Sequence, residues 1–362
     1  MKRPIWKFGA IVAVLAGMHG CTNFQYYAQS VGGQMRILGA QRPIEELLGD
    51  PNTPAGLQRK LQAVLGMREF ASRALALPDN DSYRYYADVK RPFVLWNVFA
   101  TPEFSTKLKT WCFPIAGCVS YRGYFSKDRA EEFAADAQRQ GHDVFVGGVP
   151  AYSTLGWFHD PVLNTVLNRN DTDLAGLIFH ELAHQVLYVR DDSAFNESFA
   201  TAVELEGVRR WLGENGSPEK LAAYTLAKSR HAEFSALVIA YRDRLEVLYQ
   251  QEMSDTEKRR RKAELFQALH QDYAALKQSW NGYTGFDRWF ARDLNNAHLA
   301  SVSTYTQLVP GFQALLAEHG GDLGAFYRAS KKLSKRPKAE RTAQLDAAHV
   351  GALIQKGESS GG

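Results

Sequence analysis

The residues best suited to chemistry lie between Leu177 and Glu204, in the stretch LIFHELAHQVLYVRDDSAFNESFATAVE. It contains His180-Glu181-Leu182-Ala183-His184, an HExxH sequence. On a helix, positions i and i+4 share one face, so both imidazoles can point at one metal ion. Glu181 falls on a neighbouring face, where it can hold a water on the metal and act as base. With 10 His and 39 acidic residues in 362, composition alone gives roughly 3 chance matches per 100 such chains. The residues C-terminal to the motif therefore decide. The polar break Asp191-Asp192-Ser193 offers Ser193 as an N-cap, and a second helical run carries Asn196-Glu197-Ser198-Phe199-Ala200.

These ligands need two helices to position them. Leu177, Ile178, Leu182, Val186 and Leu187 recur at helical spacing, and neither Pro nor Gly interrupts Leu177 to Arg190. The spacing predicts helices over 177–190 and 194–212. His184 stands about 7 residues before the break, or roughly 10 Å of helix, and Glu197 about 4 residues after Ser193, or roughly 6 Å. An antiparallel return brings Glu197 near the level of His184. Two His, one Glu and an open fourth position for water make a catalytic zinc set, with one Zn2+ per chain.

HELAHQ followed by FNESFATAVE resembles the gluzincin pattern of thermolysin-like and aminopeptidase N-like enzymes, in which HELAHQ precedes a NEGFA-type segment. The resemblance implies that His180, His184 and Glu197 are the zinc ligands and Glu181 the general base. It also implies that Glu204, seven residues after the ligand Glu, is an acid supporting a ligand from behind. The spacer between His184 and Glu197 is shorter than in aminopeptidase N. CFPIAGCVSYRGYF and LNNAHLASVSTYTQLVPGF resemble a family of bacterial lipoproteins described as aminopeptidases, and that likeness covers most of the chain. It implies an α+β, mostly α fold: a zincin-like metallopeptidase core with a small N-terminal β-sheet and a C-terminal helical lobe. The expected division is a signal peptide over 1–20, an N-terminal α+β part over 21–170, zinc-site helices and helical lobe over 171–355, and a tail over 356–362.

Lys2, Arg3 and Lys7 precede a short apolar run, Phe8 to Met18, and Cys21 comes directly after Gly20. This reads as a secretion signal, too short for a comfortable membrane span. Leu15 to Cys21 resembles a lipoprotein signal, implying acylation at Cys21, a lipid anchor in the membrane and a periplasm-facing outer-membrane lipoprotein. The net charge of +4 comes without a Lys/Arg stripe interleaved with aromatics, so nucleic acid is not an expected partner. The expected partner is a peptide substrate. The two remaining cysteines, Cys112 and Cys118, flank Pro114 and Gly117. In an oxidising compartment they are expected to form a local disulfide.

Arg36 to Ala76 reads as helical with a break at 49–54, Tyr83 to Phe99 and Val119 to Phe125 as strands, and Asp128 to Gln140 as a helix. Asp143 to Val149 reads as a strand leading into the small-residue segment Pro150 to Phe158. In gluzincins the strand before the zinc helix edges the active site and pairs with extended substrate. The resemblance gives that role to 148–156, with Gly148, Ala151 and Tyr152 as substrate-binding residues. Gly148 to Thr154 holds no acid for a free α-amine, although the family likeness implies an aminopeptidase; an endopeptidase and a non-enzymatic zincin scaffold are the alternatives. Ser217 to Trp280 is almost all helix-forming. Hydrolysis also needs a donor for the developing oxyanion. Tyr305 in STYTQLV is the expected one, and Tyr283 is second.

Overall fold

The computed structural model describes residues 21–113, 117–303 and 308–359. It is mostly helical, at 62%, with small β-sheets. The first half runs α1 (Cys21–Gly39), β1 (Gln41–Pro43), α2 (Ile44–Gly49), α3 (Ala55–Leu75), β2 (Tyr85–Ala87), β3 (Leu95–Pro102), β4 (Trp111–Phe113), β5 (Gly117–Val119), β6 (Arg122–Tyr124), α4 (Lys127–Arg139), β7 (His142–Val149) and β8 (Val162–Leu163). The second half is helical: α5 (Asp171–Val186), α6 (Ser193–Asn215), α7 (Pro218–Gln250), α8 (Asp255–Ser279), α9 (Asp287–Phe290), α10 (Asn296–Ser303), α11 (Val309–Glu318), α12 (Leu323–Leu333) and α13 (Lys338–Ser359). Among these residues no helix is long and apolar enough to cross a membrane.

Three small sheets form. β3 is the middle of the order β6-β3-β7, antiparallel on both sides, with Trp96 opposite Gly148 on β7. β2 lies between β1 and β8, pairing in parallel with the latter. β4 and β5 form a hairpin in which Cys112 faces Cys118, and the two are disulfide-bonded with Cα atoms 3.8 Å apart.

β7 borders its sheet, and one side of it faces away from β3. Val94 N donates to Val149 O on the β3 side, whereas Asn295 Nδ2 reaches Val144 O from the other. By the two-residue period of a strand, Val146 and Gly148 turn their backbone groups the same way as Val144. Gly148 has no room for a side chain, because an added Cβ would stand 2.4 Å from the Phe93 ring.

The largest core packs α3, α5, α6, α11 and α12 together, from Ile44 to Leu345. Phe199 sits at its centre, stacked on Phe326 and edge-on to Phe312 and Tyr327. A second core joins α7, α8, α9 and α10 through Phe234, Val238, Tyr241, Leu269 and Phe290.

Several boundaries differ from expectation: Gln41–Pro43 is a strand inside the run read as helical, and α13 continues to Ser359, into the expected tail. The HExxH helix starts at Asp171 and ends at Val186, rather than spanning 177–190. Asn170 caps it, accepting from Asp173 N, with Asp171 and Asp173 in the first turn where acids favour the helix dipole. Leu187 turns extended and stops the helix. The next helix is capped by Asp192, not Ser193, since Asp192 Oδ1 accepts from Phe195 N at 3.4 Å. A carboxylate is the stronger acceptor for orphan N–H groups.

Candidate metal centre

α5 and α6 run antiparallel, crossing where both carry glycine. A Cβ on Gly207 would stand 2.8 Å from Leu75 and Phe179, and one on Gly176 3.3 Å from Glu204 and Val208. Gly176 lies one turn before His180, so its bare face lets Glu204 come close. The loop between the helices is fixed by Asn196, which is 1% exposed. Its amide accepts from Val189 N at 2.7 Å and donates to Val189 O at 2.8 Å. That two-point clamp sits one residue before Glu197. The disulfide hairpin closes the loop from outside, with Cys118 N donating to Asp191 Oδ1 at 2.5 Å.

This brings His180, His184 and Glu197 together, with one ligand atom of each within 4.8 Å of the others. Nε2 of His180 is 3.3 Å from Glu197 Oε2, and Nε2 of His184 is 3.8 Å from Oε1. Two ligands about 2.0–2.1 Å from one tetrahedral ion stand about 3.3–3.4 Å apart. The spacing and the donor chemistry therefore fit a metal ion with two imidazoles and a carboxylate. Behind His180, Nδ1 is 3.3 Å from Glu204 Oε2. Donation from Nδ1 to Glu204 leaves Nε2 as the metal-facing nitrogen. Nδ1 of His184 is buried with no partner among the described residues.

Glu181 is 8% exposed and makes no hydrogen bond among the described residues. Burial pushes its pKa up to about 7, with the charges of Glu197 and Asp160 adding to that and His180 opposing. Burial pulls His184 down to about 4 despite Glu197. Burial would lower His180 too, but its hydrogen bonds to Glu197 and Glu204 outweigh this and raise it well above the ordinary imidazole range. Burial works against ionised Glu204, yet His180 and Lys228 hold it below the usual carboxylate range. His180, Glu197 and Glu204 form one polar net.

The other expected residues lie at varying distances from this net. Gly148 is on the border strand under Phe93. Ala151 packs on the largest core. Tyr152 turns its hydroxyl to Gln34 of α1 and its ring to Phe125, and it makes no contact with His180, His184 or Glu197 among the described residues. Tyr283 packs in the second lobe against Trp280 and Phe286. Tyr305 and residues 1–20 lie outside the described residues, and of Cys21 only its place at the start of α1 is described.

Sequence reasoning missed three groups. Lys228 of α7 donates to Glu204 Oε1 at 2.5 Å. Tyr121, two residues past β5, is a phenol whose ionisation is opposed by burial and then by the charge of Glu197. Asp160 is tied to α5 through a shared hydroxyl: Asp160 N and Gln185 Nε2 both donate to Ser82 Oγ, at 3.4 and 3.2 Å. Gln185 is four residues after Glu181, on the same helix face. The carboxylate accepts from Thr154 N at 3.0 Å and Ser153 Oγ at 3.4 Å through Oδ2. No signal within the sequence marks Asp160 or Lys228, since both reach the site by tertiary packing.

No curated protein and no solved structure matches the chain. A protein family does, over residues 25–345, which takes in every element from α1 to the start of α13 and the whole of the His-His-Glu site. With most of its length matched, the chain belongs to the family described as "Putative aminopeptidase".

Proposed function

We propose that this chain is a zinc-dependent metallopeptidase of aminopeptidase type, acting at the cell envelope. The observation that carries the reading is the convergence of His180, His184 and Glu197 beside a buried Glu181 that makes no hydrogen bond among the described residues. His180, His184 and Glu197 would hold the ion, which when bound would polarise the substrate carbonyl and make water acidic enough to deprotonate near neutral pH. Glu181 takes the water's proton and passes it to the leaving amine; a carboxyl with a pKa near 7 can do both. Tyr305 is assigned to the oxyanion on its sequence position. The backbone of Val146 and Gly148 offers a strand border where an extended peptide can pair.

An aminopeptidase needs an anion for the substrate's α-ammonium. We assign this to Asp160, a buried carboxylate whose charge bears on Glu181. This supplies the acid missing from 148–154. The envelope location is supported by the signal-like segment before Cys21 and by the Cys112–Cys118 disulfide, which suits an oxidising compartment. A peptide library offered with free and acetylated amino termini tests the reading. Release of single residues from free termini is expected. Cleavage confined to internal bonds of blocked peptides would make the enzyme an endopeptidase, and no cleavage of either set would favour a scaffold.

A further inference from the structure

Lys228 stands on α7, outside the helix pair that carries the ligands. Its Nζ is 2.5 Å from Oε1 of Glu204, and it lies 5.2 Å from the centroid of the Tyr224 ring one turn earlier on the same helix. The other oxygen of Glu204, Oε2, is 3.3 Å from Nδ1 of His180. One carboxylate thus joins a cation on α7 to an imidazole on α5, using one oxygen for each. Gly176 bounds the same carboxylate on a third side.

We propose that Lys228 is a positioning residue for the ligand His180: by holding Oε1 of Glu204 it aims Oε2 at Nδ1 and so fixes the ring with Nε2 towards Glu197. This rests on the reading of His180, His184 and Glu197 as metal ligands. The terminal torsion of a glutamate is broad and close to two-fold, so nothing intrinsic to Glu204 sets its plane. A single imidazole contact leaves that torsion soft, and a second contact on the opposite oxygen locks it. Groups that orient a ligand from behind are worth about 10–100-fold in metal affinity. Lys228 acts one contact further out, so its effect belongs at the lower end. Because α7 is built into the second core through Phe234 and Val238, the contact also ties that lobe to the metal site.

The test uses the full-length protein stripped of metal, titrated with zinc against a chromophoric chelator. Lys228→Met should weaken zinc binding about tenfold, and Lys228→Arg should stay within about threefold of wild type. In a Glu204→Gln background, where the carboxylate is already lost, Lys228→Met should add less than about twofold. Melting of each metal-free protein monitors folding, and Lys228→Gln replaces Lys228→Met if the latter unfolds. An affinity for Lys228→Met within twofold of wild type, or an undiminished further loss in the Glu204→Gln background, overturns the proposal while leaving the ligand set intact. A wild-type protein that binds no zinc overturns the ligand assignment and this proposal with it.

Discussion

The chemistry at the residue scale is a division of labour among acids that differ in what faces them. Glu197 and Glu204 both meet His180, and Glu204 also meets Lys228, so both stay ionised. Glu181 meets no cation closely enough to offset its burial, and its pKa climbs. In the proposed mechanism, two carboxyls pushed apart by environment would serve separately as ligand support and proton carrier. Asp160 adds a negative charge beside them. Replacing it with Asn removes the charge while keeping the hydrogen bonds from Ser153 and Thr154. A charged hydrogen bond is worth about 1.5–3 kcal/mol, so Asp160→Asn should raise KM for free-amino peptides by about 10–100-fold. Acetylated peptides should be unaffected. Equal losses on both substrates in steady-state kinetics would remove the α-ammonium role.

At the element scale, α5 and α6 were readable because His180 and His184 repeat at helical spacing and the apolar faces are continuous. The caps were readable in kind but not in place, since Asp192 and Ser193 are both good N-caps and only the loop path decides. Tyr85–Ala87 and Arg122–Tyr124 fall inside stretches that read as strand, but Gln41–Pro43 and Val162–Leu163 were not readable. Val162–Leu163 pairs with Tyr86–Ala87, some 75 residues back, and two residues carry too little pattern to announce it. The segment before α10 is a further case: Asn295 and Asn296 look like turn residues but hold the sheet, through Val144 O and Asp143.

Beside them His298, 5% exposed, stacks on Phe145 at 4.4 Å and accepts from Asn295 N through Nδ1 at 3.3 Å. Burial, helped by Arg292, lowers its pKa to about 4 from 6.5. The unfolded chain therefore binds more protons than the native one between pH 4 and 6.5, and stability rises with pH across that window. The contribution is complete above pH 6.5 and lost as pH falls towards 4, about 3 kcal/mol in all. Urea unfolding of His298→Gln should show a shallower pH slope than wild type over this range. Parallel slopes would mean that His298 does not carry it.

Over the whole molecule, the C-terminal helix is latched to the loop between the ligand helices. Arg341 of α13 pairs with the capping Asp192 at 2.6 Å, donates to Arg336 O at 2.6 Å, and lies over the Phe195 ring. Both partners are buried, at 7% and 3% exposure. Breaking a buried pair from one side leaves an unmatched charge, so Arg341→Met should destabilise by about 3–5 kcal/mol. Denaturant midpoints measure this, and a loss under about 1 kcal/mol would show that Lys338, 3.3 Å from Asp192, suffices alone. The opposite end carries the proposed anchor. Cys21→Ser should abolish incorporation of labelled fatty acid and release the protein from membrane fractions; unchanged labelling would place the lipid elsewhere. Neither Lys228 nor Arg341 announces its role in sequence, because each acts on a residue distant along the chain, through packing that only the folded molecule defines.

The most direct test of the central claim is the turnover of Glu181→Gln on a peptide that the wild type cleaves, with zinc measured in the same sample. Gln keeps the size of Glu and can still hydrogen-bond water, but it cannot accept the proton. General-base help is worth about 10²–10⁴-fold, or roughly 3–5 kcal/mol of barrier. The account predicts a loss of that size with zinc still near one per chain, because Glu181 points off the ligand face. Near wild-type turnover in zinc-loaded Glu181→Gln would contradict it.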